Sequence, residues 1–216
     1  MISVITNYPV AYDSPDHILP WGTMRDNSTL PEFIEEMENY FPKLKLNVMD
    51  LGCSGGQLVV DFHNKGHIAV GLEGSDYSVK HQRANWPEWY NKILFTCDVT
   101  KEYQVDNNNE PLKCDLITAW EVLEHIHPND LQMFFSQIAK HLSPDGIFVA
   151  SISTNHDVID GVALHQSVFQ QHEWLFDILT DEGAFGDSNL EYHPYPFKHA
   201  VRRDGGSFHI LLKLKS

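Results

Sequence analysis

The spacing of apolar positions changes repeatedly along the chain, and this alternation predicts an α/β fold. Apolar side chains recur every three or four positions from residue 30 to residue 41, which is typical of an amphipathic helix with Ser28 as its N-cap and Pro42 at its end. Short apolar runs typical of buried strands follow at 46–51, 67–72, 92–96, 114–119, 146–152 and 207–214. Helical patterns lie at 57–65, 76–85, 131–142 and 172–182. Strands that alternate with helices indicate a mainly parallel sheet covered on both faces.

The first 27 residues show no such period and contain three prolines. We predict an irregular N-terminal arm over residues 1–27 and a single domain over residues 28–216. The arm either closes over a binding site as a lid, with Trp21 and Arg25 on the substrate, or only packs onto the domain. The sequence contains no internal repeat and no linker that would divide the domain further.

Charge and cysteine content narrow the function classes. The chain has 216 residues and a formal net charge of -15, so its surface repels a phosphate backbone and long nucleic acid is a poor partner. No apolar run approaches the roughly 20 residues of a membrane helix, and the N-terminus lacks the features of a secretory signal. Three cysteines without a C-x-x-C spacing indicate a reducing compartment, and we expect a cytoplasmic protein. The oligomeric state stays open.

The turn after the first predicted strand is the first candidate binding site, because open α/β sheets bind ligands at the carboxyl ends of their strands. It reads Asp50-Leu51-Gly52-Cys53-Ser54-Gly55-Gly56, and its glycines let the backbone approach a ligand closely. Glu73 ends the second strand, where a carboxylate suits the two hydroxyls of a ribose. A dinucleotide site needs G-x-G-x-x-G. The G-x-x-G-G pattern after an acidic residue instead favours S-adenosylmethionine (SAM), whose methionine portion carries an ammonium group.

Four segments in order resemble the motifs of class I SAM-dependent methyltransferases. They read MDLGCSGG, GLEGSDYS, TCDVT and DLITAWEVLEHI, and the resemblance covers about residues 46–152. It implies a Rossmann-like fold with a mainly parallel seven-stranded sheet and helices on both faces. It also implies that Glu73 binds the ribose, Asp98 faces the adenine and Trp120 lines the methionine side. The full set of expected cofactor-binding residues is Asp50, Gly52, Cys53, Gly55, Glu73, Gly74, Ser75, Asp98, Val99 and Trp120.

A cluster of acidic residues and histidine follows the fourth predicted strand. Glu121, Glu124 and His125 have the i, i+3, i+4 spacing that places side chains on one face of a helical turn. Two carboxylates beside an imidazole repel each other unless a proton or a cation lies among them. Oxygen and nitrogen ligands suit Mg²⁺ or Mn²⁺ better than zinc, and such an ion would lower the pKa of an acceptor hydroxyl.

The E-x-x-E-H spacing resembles two metal-dependent groups of methyltransferases, those of the ubiquinone pathway and the small-RNA 2′-O-methyltransferases. The second group takes an additional histidine from a later segment, for which His165 is the first choice here and His172 the second. The predicted metal ligands are therefore Glu121, Glu124, His125 and His165. A metal-free site is the alternative, because many methyltransferases use a similar segment only to hold the loop. The catalytic candidates are then His125, His165 and Glu121, with one of the histidines as general base.

The expected reaction is O-methylation of a hydroxyl on a sugar, a glycan or another small acceptor. The segments PWGTMRDNS and AWEVLEH resemble methyltransferases associated with polysaccharide synthesis. Aromatic residues able to stack on a sugar are Trp21, Trp86, Trp89, Trp174 and Tyr195. The alternatives are a phenol of the quinone pathway, a nucleotide or RNA end, and a non-catalytic module that only binds SAM.

Overall fold

The computed structural model describes residues 1–200 and 206–215. The strands in chain order are β1 (Ile2–Thr6), β2 (Asn47–Leu51), β3 (Ile68–Glu73), β4 (Leu94–Thr96), β5 (Tyr103–Asn107), β6 (Glu110–Pro111), β7 (Cys114–Trp120), β8 (Leu142–Ile152), β9 (Val158–Ile159), β10 (Val162–Ala163), β11 (Leu190–His193) and β12 (Phe208–Leu214). The α-helices are α1 (Pro15–Ile18), α2 (Trp21–Arg25), α3 (Pro31–Tyr40), α4 (Gln57–Asn64), α5 (Tyr77–Lys80), α6 (Trp86–Trp89), α7 (Leu131–His141) and α8 (Gln171–Glu173). Short 3₁₀ turns span Leu123–His125 and Pro128–Asp130, and a π-helical turn spans Trp174–Ile178. Within the described ranges, every helix is too short or too polar to cross a membrane.

The central sheet has seven strands in the order β11-β12-β8-β7-β2-β3-β4. The five strands from β8 to β4 are parallel, β12 is antiparallel to β8, and the edge strand β11 is antiparallel to β12 and so runs in the same direction as the five. The chain runs outward from β2 to β4 and then returns to β7 on the other side of β2. The predicted mainly parallel seven-stranded sheet is confirmed, and the reversal beside β2 is the point where such sheets bind ligands.

Both faces of the sheet are buried, as the unbroken apolar runs of its strands require. Phe33, Ile34 and Met37 of α3 and the apolar face of α4 cover one face, where Leu116 of β7 points. Phe134 and Phe135 of α7 cover the other face. The parallel strands are therefore held in register from both sides, which fixes the positions of their carboxyl ends.

Several predicted boundaries differ from those in the structure. Ser28 does not cap the first long helix: α3 begins at Pro31, and the Ser28 hydroxyl donates to the Asp26 carboxylate instead. Of the helix predicted over 76–85 only α5 forms, because the backbone takes positive φ at Gln82 and Ala84, and α6 begins beyond the predicted range. The helix predicted over 172–182 ends with the π-helical turn at Ile178.

We predicted an irregular N-terminal arm, but the structure gives it one strand and two short helices. Its strand β1 pairs antiparallel with β5, with Ile2 opposite Asn107, and β5 continues into the hairpin with β6. The arm then runs back over the carboxyl ends of the sheet as α1 and α2. It is anchored where Ala11 N donates to Gly74 O at 2.9 Å. The arm is thus tied to the domain at both ends of its path.

A buried histidine at the end of α7 packs against the three-stranded sheet formed by β1, β5 and β6. His141 is 1% exposed and stacks on Tyr103, with ring centroids 4.8 Å apart. Its Nδ1 donates to Gln137 O at 2.7 Å, and its Nε2 accepts from Val105 N at 3.3 Å. Burial lowers the pKa of His141 to about 4. The neutral imidazole satisfies both contacts, and a second proton would remove the acceptor.

We expect His141 to make the protein less stable at mildly acidic pH. The unfolded chain binds a proton near the ordinary histidine pKa of about 6.5 and the folded chain does not, so stability is full above that pH and falls as the pH decreases toward 4. Between pH 7.5 and pH 5 the loss from this residue is about 2 kcal/mol. Urea unfolding at both pH values, compared between wild type and His141→Gln, measures it. The exposed His172→Gln is the control, and an equal pH dependence in wild type and His141→Gln would contradict the assignment.

Candidate active site

A cavity of about 900 Å³ opens at the carboxyl ends of the parallel strands. Its floor consists of the turn after β2 and the ends of β3, β4 and β7. The arm, from Ala11 to Asp26, contributes one wall, and the segment from Asn155 to Gln166 contributes another. The cavity therefore extends from the predicted cofactor site to the predicted chemical site.

The turn after β2 brings its backbone close to the side chain of Val122. Gly52 has φ +71 and its amide donates to Leu72 O at 2.8 Å. A Cβ at this position would lie 2.6 Å from Cγ2 of Val122. The backbone therefore requires glycine here, and Gly52 lines the cavity with nothing but main-chain atoms.

The Glu73 carboxylate accepts hydrogen bonds from two turns of the cavity floor. Its Oε2 accepts from Ser54 N at 2.8 Å, and its Oε1 accepts from Ser75 N at 3.0 Å and from the Thr23 hydroxyl at 3.4 Å. Burial raises the pKa of Glu73 above the ordinary value, although the two amides act in the opposite direction. The carboxylate lines the cavity at the end of β3, where the sequence predicts a ribose contact.

The structure places seven of the ten predicted cofactor-binding residues in the cavity wall, namely Gly52, Glu73, Gly74, Ser75, Asp98, Val99 and Trp120. Asp50 and Cys53 line a small adjoining recess instead, which also touches Gly52 and Trp120. The Asp50 carboxylate accepts from the Thr118 hydroxyl at 2.6 Å. Gly55 lies outside the wall because Asn27 of the arm covers it: a Cβ there would lie 2.2 Å from Asn27 Oδ1.

Glu124, His125 and His165 form a cluster in which one ligand atom of each lies within 4.8 Å of the others. Glu124 is fully buried, with Oε1 accepting from Ser153 N at 3.0 Å and Oε2 without a hydrogen-bond partner. His165 Nδ1 lies 2.5 Å from Asn155 O. The two imidazole rings meet edge to face with centroids 4.6 Å apart. The cluster matches three of the four predicted metal ligands.

Burial and neighbouring charges shift the pKa values of all three cluster residues. Burial raises the pKa of Glu124 to about 8. Burial also lowers the pKa of His125, but the Asp16 carboxylate and Glu124 overcome this effect and raise it to about 9. The pKa of His165 is lowered, mainly by burial. The two histidines therefore differ in their surroundings: the Asp16 carboxylate favours the protonated form of His125, and burial favours the neutral form of His165.

Glu121, the fourth predicted ligand, does not join the cluster. The expected helical turn begins only at Leu123, because Glu121 has φ +55 and its amide donates to Ser151. Its Oε2 accepts from the Ser207 hydroxyl at 2.9 Å. The prediction that Glu121 shares a helical face with Glu124 and His125 is therefore wrong, although Glu121 still lines the cavity. His172, the second choice for the additional histidine, is exposed on α8.

The arm makes contacts with the site that its sequence did not predict. Asp16 Oδ2 lies 2.9 Å from His125 Nδ1. Arg83 donates to Met24 O at 2.9 Å and to Asp26 O, which also accepts from the Ser54 hydroxyl at 2.9 Å. More than one hundred residues separate Asp16 from His125, so no local pattern indicates the pair.

Comparison with known proteins shows the family to which the chain belongs. A family model described as "Methyltransferase domain" matches residues 23–194. Curated relatives are named "Ubiquinone biosynthesis O-methyltransferase". The relative from Nitrobacter winogradskyi is 26% identical over 176 residues, covering 74% of this chain and 65% of that protein. The relative from Idiomarina loihiensis is 30% identical over 140 residues, covering 64% and 49%. The chain thus spans less than two thirds of the length of these relatives.

Solved structures show the same fold at low sequence identity. An S-adenosylmethionine-dependent methyltransferase from Clostridium acetobutylicum superposes with a TM-score of 0.57 at 15% identity, covering 95% of this chain and 96% of that one. Magnesium protoporphyrin IX methyltransferase from Synechocystis, with bound SAH, has a TM-score of 0.56 at 16% identity, covering 86% and 81%. These similarities show the fold. The reaction has to be inferred from the residues of the site.

Proposed function

The chain belongs to the methyltransferase domain family, and on this premise we propose that it is a SAM-dependent O-methyltransferase. The observation that carries the proposal is that His125 and His165, which cluster with the buried Glu124, line the same cavity as the glycine turn and Glu73. One cavity can therefore hold a nucleoside cofactor at one end and an acceptor hydroxyl at the other.

The charge of the cavity wall supports SAM over a phosphate-bearing cofactor. The carboxylates in the wall are Asp13, Asp16, Asp26, Glu73, Asp98, Glu121, Asp130 and Asp157. Lys101 is the one lysine or arginine among the described wall residues, and it forms an ion pair with Asp130 at 3.0 Å. SAM carries a sulfonium and an ammonium cation, which such a wall attracts, whereas a pyrophosphate would be repelled.

The cluster also fits a divalent cation. Glu124 offers its unpartnered oxygen, and each imidazole has its Nδ1 against an acceptor, Asp16 for His125 and Asn155 O for His165. Histidine ligands are usually held in this way, with the other ring nitrogen left for the metal. Mg²⁺ or Mn²⁺ on these three residues would supply a positive charge that lowers the pKa of an acceptor hydroxyl.

In the metal-free alternative, in which Nε2 of His165 holds no ion, we assign proton removal to His165. Its Nδ1–H donates to the neutral carbonyl of Asn155, so its Nε2 is free to accept a proton, whereas His125 is paired with a carboxylate. The acceptor oxygen attacks the methyl carbon in line with the carbon–sulfur bond. That bond breaks with its electron pair on sulfur, which gives S-adenosylhomocysteine (SAH), and the hydroxyl proton passes to His165. The wall supplies alignment, the main requirement of such a displacement.

For the acceptor we propose a phenolic hydroxyl, with a catechol as the first choice. The sugar hypothesis relied on stacking aromatic residues, but Trp86 and Trp174 are buried at 1% and 0% exposure, and of the five candidates only Trp21 lines the cavity. The names of the curated relatives point to quinone-pathway chemistry. Glycan and nucleotide hydroxyls are the alternatives that an acceptor panel tests.

The test is SAH release from SAM with catechol, a methyl glycoside or cytidine, each with Mn²⁺ and with EDTA. We expect turnover with catechol, and loss of about 100-fold or more in Glu124→Gln, because the variant removes a buried carboxylate ligand. Glu121→Gln distinguishes the three-residue cluster from the four-residue ligand set predicted from sequence, since it is expected to keep Mn²⁺ binding in titration calorimetry. Turnover only with the glycoside would overturn the phenol assignment. Tight SAH binding without any turnover would favour a non-catalytic module.

A further inference from the structure

The arm reaches the catalytic cluster through one side chain. Asp16 is the second residue of α1, and Ser14 caps this short helix by accepting from Asp16 N at 3.3 Å. The Asp16 carboxylate then lies 2.9 Å from His125 Nδ1, and both side chains line the cavity. Their side chains are 28% and 23% exposed, so the pair faces the cavity and is partly shielded from solvent.

The position of Asp16 is fixed by contacts on either side of it along the chain. Before it, Ala11 N donates to Gly74 O at 2.9 Å, and after it the Thr23 hydroxyl donates to Glu73. Arg83 and Ser54 hold Asp26 O at the end of α2. Because these contacts hold the segment, the Asp16 carboxylate stays near the His125 imidazole. It therefore loses little conformational entropy when it contacts the ring.

His125 has two neighbours that define its ring plane. The Asp16 carboxylate lies 2.9 Å from Nδ1 on one side, as an ion pair and not as an aligned hydrogen bond, and the edge-to-face contact with His165 limits rotation on the other. With Nδ1 engaged, Nε2 is the ring atom left to bind a ligand or exchange a proton. Asn155 O holds His165 in the same manner, so each histidine of the cluster has its own anchoring acceptor.

We propose that Asp16 is a positioning residue of the active site, which holds His125 by Nδ1 so that its Nε2 serves the Glu124–His165 side of the cluster. The proposal rests on the proposed methyltransferase function of that cluster. It makes the arm a structural part of the active site, because without residues 15–18 the cluster lacks the acceptor that orients one of its three members.

Two measurements test the proposal, and the first does not depend on turnover. In ¹⁵N-labelled protein with bound SAH, the Nδ1 proton of His125 is expected at a strongly deshielded position because it is shared with a carboxylate, and His125→Gln assigns the signal. The signal should vanish in Asp16→Asn and Asp16→Ala and persist in Asp13→Asn. Asp13 is the matched control, since it is an exposed aspartate of the same arm and the same cavity wall. Persistence of the signal in Asp16→Ala would overturn the proposal whatever reaction the protein performs.

The second measurement is kinetic, with catechol and SAM. Asp16→Asn is expected to lower kcat about 10- to 100-fold, the usual effect of removing the partner that orients a functional histidine. KM for SAM and the SAH dissociation constant should stay within about threefold of wild type, and Asp16→Glu should recover part of kcat. A merely structural role would instead raise KM and weaken SAH binding together with kcat, and that result would overturn the assignment. If wild type shows no turnover while the NMR result holds, the proposed function fails and the positioning role stands.

Discussion

Glu73→Gln is expected to abolish useful cofactor binding while the protein stays folded. The carboxylate accepts from a backbone amide on each of its two oxygens, Ser54 N and Ser75 N. A glutamine side chain has only one oxygen, so its NH₂ group must face one of these donors. Hydrogen bonds to a charged group contribute about 1.5–3 kcal/mol each, and a buried unpaired donor adds a similar cost. The two ribose hydroxyls expected at this carboxylate lose hydrogen bonds of the same kind, so SAH affinity should fall about 100-fold or more.

Titration calorimetry with SAH measures the effect, and Glu88→Gln serves as the control because Glu88 is an exposed carboxylate on α6. A thermal unfolding curve for each variant separates lost binding from lost folding. Removal of the buried charge also removes its desolvation cost, so the melting temperature should change little. Unchanged SAH affinity in a folded Glu73→Gln variant would show that the cofactor does not bind at the end of β3.

His165→Gln is expected to leave SAH binding intact and to lower kcat by about 100- to 10,000-fold, the range associated with a general base. The reason is that Nε2 of His165 is the proton acceptor we assign, while the cofactor contacts that we propose lie in the turn after β2 and at the end of β3. Steady-state kinetics with catechol and calorimetry with SAH measure both effects on the same preparation.

The control for this variant is His156→Gln. His156 is an exposed histidine in the same segment of the cavity wall, and its ring belongs to neither the cluster nor the cofactor end. We expect its kcat within about twofold of wild type. An equal loss in both variants would indicate that the segment from 155 to 166 acts through its shape, and His165 would lose its assigned role.

The β2–α4–β3 unit was predictable because its signals are local. The apolar run, the glycine turn and Glu73 follow one another within 27 residues from Asn47. Each signal depends on the preferences of a few neighbouring residues. The arm was different: Ile2, Val4 and Ile5 form a β-branched run typical of a strand, but β1 needs β5 as its partner, and that pairing joins distant parts of the chain.

The candidate site was predictable as a set of residues and only partly as a geometry. Glu124, His125 and His165 do come together, as the E-x-x-E-H spacing and the additional histidine indicate. Glu121 does not, because one residue with positive φ breaks the helical register on which its placement depended. Asp16 could not be inferred at all, since its role arises from the path of the arm over the sheet and not from its own sequence context.

The pairing of β1 with β5 also bears on the order in which the molecule is assembled. As the chain leaves the ribosome, β1 emerges before β5, and Asn107, the partner of Ile2, follows about one hundred residues later. Contacts of such wide sequence separation form slowly because a long loop must close before they are gained. The arm therefore docks after the β2–α4–β3 unit can form, and Asp16 reaches His125 only when the body that carries the cluster is in place. The active site is thus expected to become complete in one of the last steps of folding.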